Sequence, residues 1–507
     1  MPAQLAIILC SVGVLVLFYL NRVKTVRTSK ALWIPVIWLG LAGSRPASMW
    51  FGMTPSSQTA NLDGSPVDAA IFGALLAIGL IVLIARGKRT THYLAVIGPI
   101  IVYSLYCLIS LEWSPVPLPA FKRWIKDLGD VVMVLIICTD PEPLEALRCL
   151  YSRIGFILFP FSIVLIRYTT IGRAWNNDGL LTNVGVTTDK NMLGLIVYVI
   201  SVGVLWNFRR LLVNKGEPNR RRLLLAQGIL LAFGVYLLSI AHSSTSMTCF
   251  FLGSGVVVAT NLRAIARRPS LVYALSLAIF CVGGLAIFVG GMEGAASALG
   301  RDATFSGRTN IWAAVIAAAS NPIIGIGFES FWNSPNVMIV QRSLALVNWY
   351  HPEGLNEAHN GYLEIYLNLG WIGLCFVVLI LATGFLRAAR ILRRDGDLGS
   401  LMLAHIITGA IYSVTEVGFR TLSPMWIFLL LAVVSVSGVN AGVFGSGRSS
   451  RLRVPGGAGR GGWGGQRPDV DQDAGAASPE GGARERVLGT SGWPRGTLAG
   501  GHQRVHA

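Results

Sequence analysis

Residues 223–241 read LLLAQGILLAFGVYLLSIA, an apolar stretch of 19 residues that contains no charged side chain. About 20 such residues in a helix cross the hydrocarbon core of a bilayer. A basic segment precedes the stretch, with arginine or lysine at 209, 210, 215 and 220–222. An apolar helix that follows a cluster of positive charges is typical of a membrane span that begins on the cytoplasmic side.

Similar apolar runs recur along the chain, and the composition agrees with them. Of 507 residues, 53% are hydrophobic and 13% are charged, whereas a soluble chain carries roughly 25% charged residues. The mean hydropathy is +0.59. These values exclude a secreted disulfide scaffold, a disordered chain and an ordinary soluble enzyme. They predict an all-α polytopic membrane protein with about 12–13 transmembrane helices. The thirteen candidate spans are 3–20, 31–43, 69–85, 93–111, 128–139, 151–166, 192–208, 223–241, 247–262, 271–290, 362–386, 399–416 and 421–438.

The net charge of +17 is explained by the distribution of basic residues over the loops between the spans, and it does not indicate a nucleic-acid partner. Twenty-one of the 42 lysines and arginines fall in one set of alternate loops, and 11 are spread over the other set. The positive-inside rule places the first set in the cytoplasm, so the N-terminus is predicted outside and the C-terminus inside. Residues 1–438 then form the membrane domain. Residues 439–507 are a tail rich in glycine and arginine, predicted to be disordered and cytoplasmic.

Two long outer segments, residues 44–68 and 291–361, carry polar groups. Loops of this length between membrane spans are uncommon unless they have a function. In the second, SGRTNIWAAVIAAASNP (306–322) predicts a short amphipathic helix with Ile311 and Val315 on one face. The segment ends in EAHNGYLEIYLNLGWIGL (357–374), which leads into a span. His359 and Asn360 therefore lie at the start of a membrane helix.

This position suggests chemistry. A helix N-terminus favours an anion and tends to keep a histidine neutral, as a general base must be. The Arg308 guanidinium is suited to phosphate. Together they fit a lipid-diphosphate sugar donor: Arg308 neutralises the leaving diphosphate, and His359 takes the proton of the acceptor hydroxyl. The alternative for His359 is an ordinary interfacial or capping role.

Other polar residues leave further alternatives open. Additional outer cations could bind the donor or serve as interfacial anchors: Lys122, Arg123, Arg167, Arg173 and Lys190. Asp63 and Asp68 are an alternative catalytic pair. Glu416 could pair with Arg420 or face the glycan. The D-x-D patterns at 395–397 and 469–473 have no folded domain to hold a metal, and we treat them as chance.

The motifs of the chain resemble the O-antigen ligase and bacterial polysaccharide polymerase family. The resemblance rests on elements spread over residues 31–438: Ser306-Gly307-Arg308, Asn321-Pro322, Gly325, Gly327, His359-Asn360, Gly370, Gly373, and GVTTDKNMLG at 185–194. GSRPASMWFG (43–52) and LEWSPVPLPAFKRWIKDLGDV (111–131) resemble the exopolysaccharide-production branch. In AHSSTSM (241–247) the chain departs from branches that carry an arginine there.

The resemblance implies a fold related to lipid-dependent (GT-C-like) glycosyltransferases, with a signature core at about 180–385. It implies inverting, metal-independent glycosyl transfer, without a cofactor, at the periplasmic face of the bacterial inner membrane. Arg308 would be a diphosphate ligand and His359 the general base. Lys190, Asn191, Asn360, Arg167 and Arg173 would be further substrate-binding residues.

The implied partners are an undecaprenyl-diphosphate-linked oligosaccharide, an acceptor glycan and the lipid bilayer, with a chain-length regulator and a flippase as protein partners. Polymerisation of repeat units is favoured over ligation to a lipid core. A lipid-linked oligosaccharide flippase is the alternative of another class, but buried mid-span charges and repeated halves are not evident. A cell-wall glycosyltransferase would instead use an outer carboxylate base, for which the candidates are Asp302, Glu329, Glu353 and Glu357.

Overall fold

The computed structural model describes residues 2–23, 28–53, 65–175, 179–262, 271, 308–347, 355–440 and 442. Several predictions lie outside the described residues: most of the span at 271–290, nearly all of the tail at 439–507, the cap Ser306, and the carboxylates Asp63, Asp302 and Glu353.

The described chain is almost entirely helical, as predicted. Its α-helices are α1 (Ala3–Leu20), α2 (Trp33–Ala42), α3 (Ala47–Trp50), α4 (Pro66–Ala85), α5 (Lys88–Val96), α6 (Gly98–Ile109), α7 (Pro117–Cys138), α8 (Pro143–Tyr168), α9 (Lys190–Val213), α10 (Arg220–Ala241), α11 (Ser244–Ala259), α12 (Arg308–Ala317), α13 (Asn336–Leu346), α14 (Gly361–Ile391), α15 (Gly396–Thr415) and α16 (Pro424–Asn440). Short 3-10 turns lie at Lys30–Leu32, Ser110–Trp113 and Phe331–Asn333. An antiparallel pair of strands, β1 (Arg173–Trp175) and β2 (Leu181–Asn183), joins α8 to α9.

Fewer helices are long and apolar enough to cross a membrane than the thirteen predicted. Within the described ranges seven qualify, namely α1, α4, α8, α9, α10, α14 and α15, and the bent pair α5–α6 makes up to eight. The apolar helices in the predicted spans 31–43, 247–262 and 421–438 are shorter, with 10–17 residues. The predicted span 128–139 is the second half of α7, whose first half carries several charges. The all-α polytopic membrane class is confirmed.

The helices divide into a buried centre and a lipid-facing periphery. In α9 and α15, 78% and 83% of the apolar window is buried, and residues 424–438 of α16 are all buried. In α1 and α4 the share is 17%, so their apolar side chains face the bilayer. Small residues allow close packing in the centre. A Cβ on Gly203 of α9 would lie 2.2 Å from the Tyr151 ring of α8.

Helix α14 is broken at Gly370, where the backbone has φ 64° and ψ −164°. The loop at 322–327 fills the break with backbone hydrogen bonds. The Trp371 N–H donates to the Pro322 carbonyl at 2.9 Å, and the Gly327 N–H donates to the Asn368 carbonyl at 2.8 Å. A Cβ on Gly325 would lie 2.4 Å from the Asn368 backbone. The glycines of the motif at 321–327 are therefore required for this close approach.

Candidate active site

Three chain segments meet at one end of the bundle: the start of α12, the residues before α14, and the turn after α15. Arg308 is the first residue of α12, and its Nη2 donates to Glu416 Oε1 at 2.7 Å. Its Nη1 donates to the Thr415 carbonyl at the end of α15. The Glu416 side chain is 5% exposed, so this is a largely buried ion pair. From the sequence, Glu416 has two alternatives, an ion pair with Arg420 or a role facing the glycan. In the structure Glu416 pairs with Arg308 instead of Arg420.

His359 lies beside the same carboxylate. Its Nδ1 is 2.8 Å from Glu357 Oε1 and 3.6 Å from Glu416 Oε2. The closer contact is an ion pair rather than an aligned hydrogen bond, because Nδ1 has no partner of acceptable hydrogen-bond geometry. His359 has a left-handed backbone, with φ 50°. Arg308 and His359, predicted to act together, thus share Glu416.

The protonation state of His359 differs from the one predicted from the sequence. The position at a helix N-terminus predicts a neutral ring, but the surroundings of the ring raise its pKa. Burial lowers this pKa, but the adjacent Glu357 and Glu416 outweigh it and raise the pKa to about 10. The ring is therefore an imidazolium at neutral pH. Because the folded pKa exceeds the usual value near 6.5, the pairing stabilises the fold fully below that pH, and the contribution is lost as the pH rises through about 10. A catalytic role for His359 stays a prediction.

The backbone before His359 is held from two sides. The N–H of buried Ala358 donates to Glu364 Oε1 at 2.6 Å, and Trp312 Nε1 donates to the Ala358 carbonyl at 2.9 Å. Trp332 Nε1 also donates to Glu364, at 2.8 Å. These contacts fix the segment against α12 and α14, so the imidazole is positioned by buried neighbours rather than by an open loop.

Asn360 has a structural task at this point. Its Oδ1 accepts from the N–H groups of Tyr362 and Leu363, both at 3.0 Å, and so caps α14. The Gly361 N–H donates to the Glu416 carbonyl at 3.1 Å. The cap and this bond join the start of α14 to the turn after α15. Substrate binding by Asn360 stays a prediction, and the oxygen that it would offer is already used.

A second arginine completes the cluster. Arg420 Nη1 is 3.7 Å from Glu357 Oε2, and Arg420 Nε is 3.8 Å from Glu329 Oε2. Burial lowers the pKa of Arg420, but the surrounding carboxylates outweigh it and raise the pKa overall. The Arg420 side chain is 39% exposed, and Glu357 and His359 are each 27% exposed, so solvent reaches the cluster. Glu329 and Glu357, candidates for a carboxylate base, thus lie within it.

The start of α9 lies close enough to this cluster for their charges to interact. Asp189 caps the helix, with Oδ1 accepting from the N–H groups of Asn191 and Met192 at 2.9 Å. Solvent reaches Asp189, yet protein surrounds it on most sides. This burial raises the pKa of its carboxyl, and the charges of Glu357 and Glu416 add to the rise. Lys190 and Asn191, predicted to bind substrate, therefore begin a helix whose capping residue, Asp189, interacts electrostatically with the carboxylates of the site.

Other predicted residues have their described contacts elsewhere. Arg167 donates from Nε to the Tyr236 hydroxyl at 3.0 Å, and Arg173 donates from Nε to the Ile166 carbonyl at 3.1 Å. The structure thus gives neither of these predicted substrate-binding arginines a contact with Arg308. Asp68 accepts from the backbone N–H of Ser48 at 2.9 Å and from its hydroxyl at 2.6 Å, as a structural carboxylate does.

A metal ion could in principle meet three ligands here. One donor atom each from Glu357, His359 and Glu416 lie within 4.8 Å of one another. The donor chemistry opposes this, because a protonated Nδ1 has no lone pair to give, and both carboxylates already face Arg308 or Arg420. Metal-independence stays a prediction.

The main feature that the sequence did not assign is the role of Glu416. It lies 57 positions beyond His359 and 108 beyond Arg308 in the chain, so no local spacing connects them. The available signal was its position: a carboxylate at the end of the apolar span α15 is costly unless it has a partner.

The fold and this cluster define a multi-pass membrane protein with a polar, solvent-accessible site at one end of its bundle. Residues 229–378 match the O-antigen ligase family model, a range that includes Arg308 and His359 but not Glu416. The chain is 26% identical over 313 residues to the Exopolysaccharide production protein ExoQ of Rhizobium meliloti (strain 1021), covering 60% of this chain and 68% of that protein. The chain is thus similar to the O-antigen ligase family and to an exopolysaccharide production protein, and the matches support a membrane glycosyl-transfer role in polysaccharide synthesis.

Proposed function

We propose that this protein transfers a glycan from undecaprenyl diphosphate to an acceptor hydroxyl at the periplasmic face of the inner membrane, and so polymerises exopolysaccharide repeat units. The observation that carries the proposal is the contact of Arg308 and His359 with one buried carboxylate, Glu416. The charge distribution predicts this end of the bundle to lie outside. The name of the relative, an exopolysaccharide production protein, favours polymerisation over ligation.

The cationic groups suit the leaving diphosphate. Arg308 carries five N–H donors in a planar fork, and its described bonds to Glu416 and the Thr415 carbonyl leave donors for a phosphate oxygen. The imidazolium of His359 adds a second positive charge beside it. Cations already in place where negative charge develops lower the barrier without further rearrangement.

With a pKa of about 10, the His359 ring already carries its proton at neutral pH, so a carboxylate is the proton acceptor that remains available. The acceptor oxygen attacks the anomeric carbon, its proton passes to Glu416, and the bond from that carbon to the diphosphate oxygen breaks with the electron pair leaving on the diphosphate. The attack from the opposite face inverts the configuration. Under this mechanism His359 acts as a cation. The competing hypothesis is the role predicted from the sequence, in which His359 is the general base.

A deletion strain tests the function. If the protein polymerises, single repeat units accumulate on the lipid carrier at the outer face, where an added glycosidase reaches them in spheroplasts. Full-length polymer on the carrier would instead show a ligase, and units protected from the glycosidase would show a flippase.

Complementation then tests the site. Arg308→Ala should abolish polymer at normal protein level, whereas Arg342→Ala, which changes an exposed arginine on α13, should restore it. Unchanged polymer with Arg308→Ala would remove this arginine from the mechanism. His359→Ala with full output would remove the histidine likewise.

A further inference from the structure

A cavity of about 390 Å³ lies at the opposite end of α9 from the candidate active site. It is lined by the end of α1, the first turns of α8, the end of α9 and the start of α10. Helix α9 has 24 residues, which at about 1.5 Å per residue separates the two sites by roughly 36 Å. The loop charges place this end of the bundle on the cytoplasmic side.

The cavity has more arginine than its carboxylates can neutralise. Four arginines and two glutamates line it: Arg22, Arg148, Arg153, Arg210, Glu145 and Glu217. Arg148 pairs with Glu145, and Arg210 pairs with Glu217 at 3.0 Å. Among the described residues neither Arg22 nor Arg153 has a carboxylate within ion-pair distance. The lining therefore carries an excess of positive charge.

Several of these guanidinium groups also have unused donors inside protein. Arg148 Nε, Arg153 Nη1 and Arg210 Nε are buried and make no hydrogen bond within the described part of the chain. A buried donor without a partner costs about 1–3 kcal/mol. Guanidinium donors without a partner suit the oxygens of a phosphate group.

The rest of the lining suits the remainder of a lipid headgroup. The Arg153 guanidinium lies over the Trp33 ring, 4.5 Å from its centroid, and Phe18 and Phe156 add apolar surface. The amide of Asn207 has a buried oxygen with no hydrogen bond to a described residue, so it can accept from a hydroxyl. The volume of the cavity accommodates a phosphate with a small polyol. It is too small to hold the acyl chains of the lipid in addition.

We propose that this cavity binds a phosphate-bearing anion of headgroup size, supplied by an anionic phospholipid of the inner leaflet. Basic pockets between transmembrane helices on the cytoplasmic side are suited to such headgroups. The end of the α1 helix, which faces lipid over most of its surface, forms one wall, so the cavity lies beside the lipid-facing surface of the protein. This site is independent of the glycosyl transfer.

The test uses the full chain in detergent and native mass spectrometry. Wild-type protein should retain phosphatidylglycerol in preference to phosphatidylcholine. Arg153→Gln should bind phosphatidylglycerol roughly tenfold more weakly, because one charge-assisted hydrogen bond is lost. Arg221→Gln is the matched control, since it removes an exposed arginine at the same end outside the cavity lining. Equal affinity in both variants would overturn the proposal.

A second measurement needs no variant. Cys149 lines the cavity, and Cys375 is an exposed reference cysteine. Phosphatidylglycerol, but not phosphatidylcholine, should slow alkylation of Cys149 relative to Cys375. If glycerol phosphate at the same concentration protects Cys149 and phosphatidylglycerol does not, the cavity is a phosphate site for a soluble ligand and the phospholipid assignment is wrong. Absence of protection by both would refute the site.

Discussion

The ion pair between Arg308 and Glu416 offers a double-mutant cycle that separates a structural role from a catalytic one. Glu416→Gln keeps the shape of the side chain and removes its charge. The Glu416 carbonyl, which accepts from the N–H groups of Gly361 and Gly418 at 3.1 Å, remains unchanged. The variant therefore removes one negative charge between Arg308 and His359 with little change in packing.

The expected cost in stability follows from the burial of the pair. Breaking a fully buried pair costs about 3–5 kcal/mol, and an exposed pair contributes about 0–1 kcal/mol. Glu416 is 5% exposed and Arg308 is 17% exposed, so we expect Glu416→Gln to cost about 2–3 kcal/mol. Arg308→Gln should cost less, about 1–2 kcal/mol, because His359 still faces the carboxylate.

The assay combines unfolding in detergent with polymer output from a complemented deletion strain. The double variant should lose less stability than the sum of the single variants, with a coupling of about 1–2 kcal/mol. Polymer should be absent in all three, because the cation and the proton acceptor are both required. Additive stability losses would refute the pair, and a double variant that restores polymer would refute its catalytic role.

Three further predictions concern the loop, the pH dependence and the metal. Gly325→Ala should destabilise the protein by about 2 kcal/mol or more, since it places a Cβ against backbone at a positive φ. Gly73→Ala, with open space around it, should leave the unfolding temperature unchanged or raise it; equal effects would contradict the account of the broken helix. Glu357→Gln should lower the pKa of His359, because a carboxylate that raises it is lost, so the alkaline limb of the pH–rate profile moves to lower pH; an unmoved limb would show that the imidazolium is not required. Treatment with EDTA should leave the transfer rate unchanged, and a loss that is reversed by one divalent cation would show a metal site.

The sequence predicts the local features of this protein well. The apolar runs identify most helices, the helix predicted within 306–322 forms at Arg308–Ala317, and α14 begins directly after His359 and Asn360. These features depend on residues close together in the chain. The motif resemblance also brings Arg308 and His359 to one site, and the structure shows that they share Glu416.

Features that depend on distant contacts could not be predicted. The pKa of His359 is raised by Glu357, two positions earlier in the chain, and also by Glu416, and only the folding of α15 against α14 brings Glu416 near. The break at Gly370 depends on a loop more than forty residues earlier. Arg167 carries the charge that phosphate binding needs, but Tyr236 engages it, and a charge count cannot show this.

The most direct test of the central claim is transfer by the purified protein in a bilayer, with a lipid-linked repeat unit as the substrate. Wild-type protein and Arg342→Gln should elongate the glycan and release undecaprenyl diphosphate without a nucleotide sugar or an added metal. Arg308→Gln, folded to the same extent, should do neither. Elongation by Arg308→Gln at the wild-type rate would contradict the assignment of this cluster as the active site.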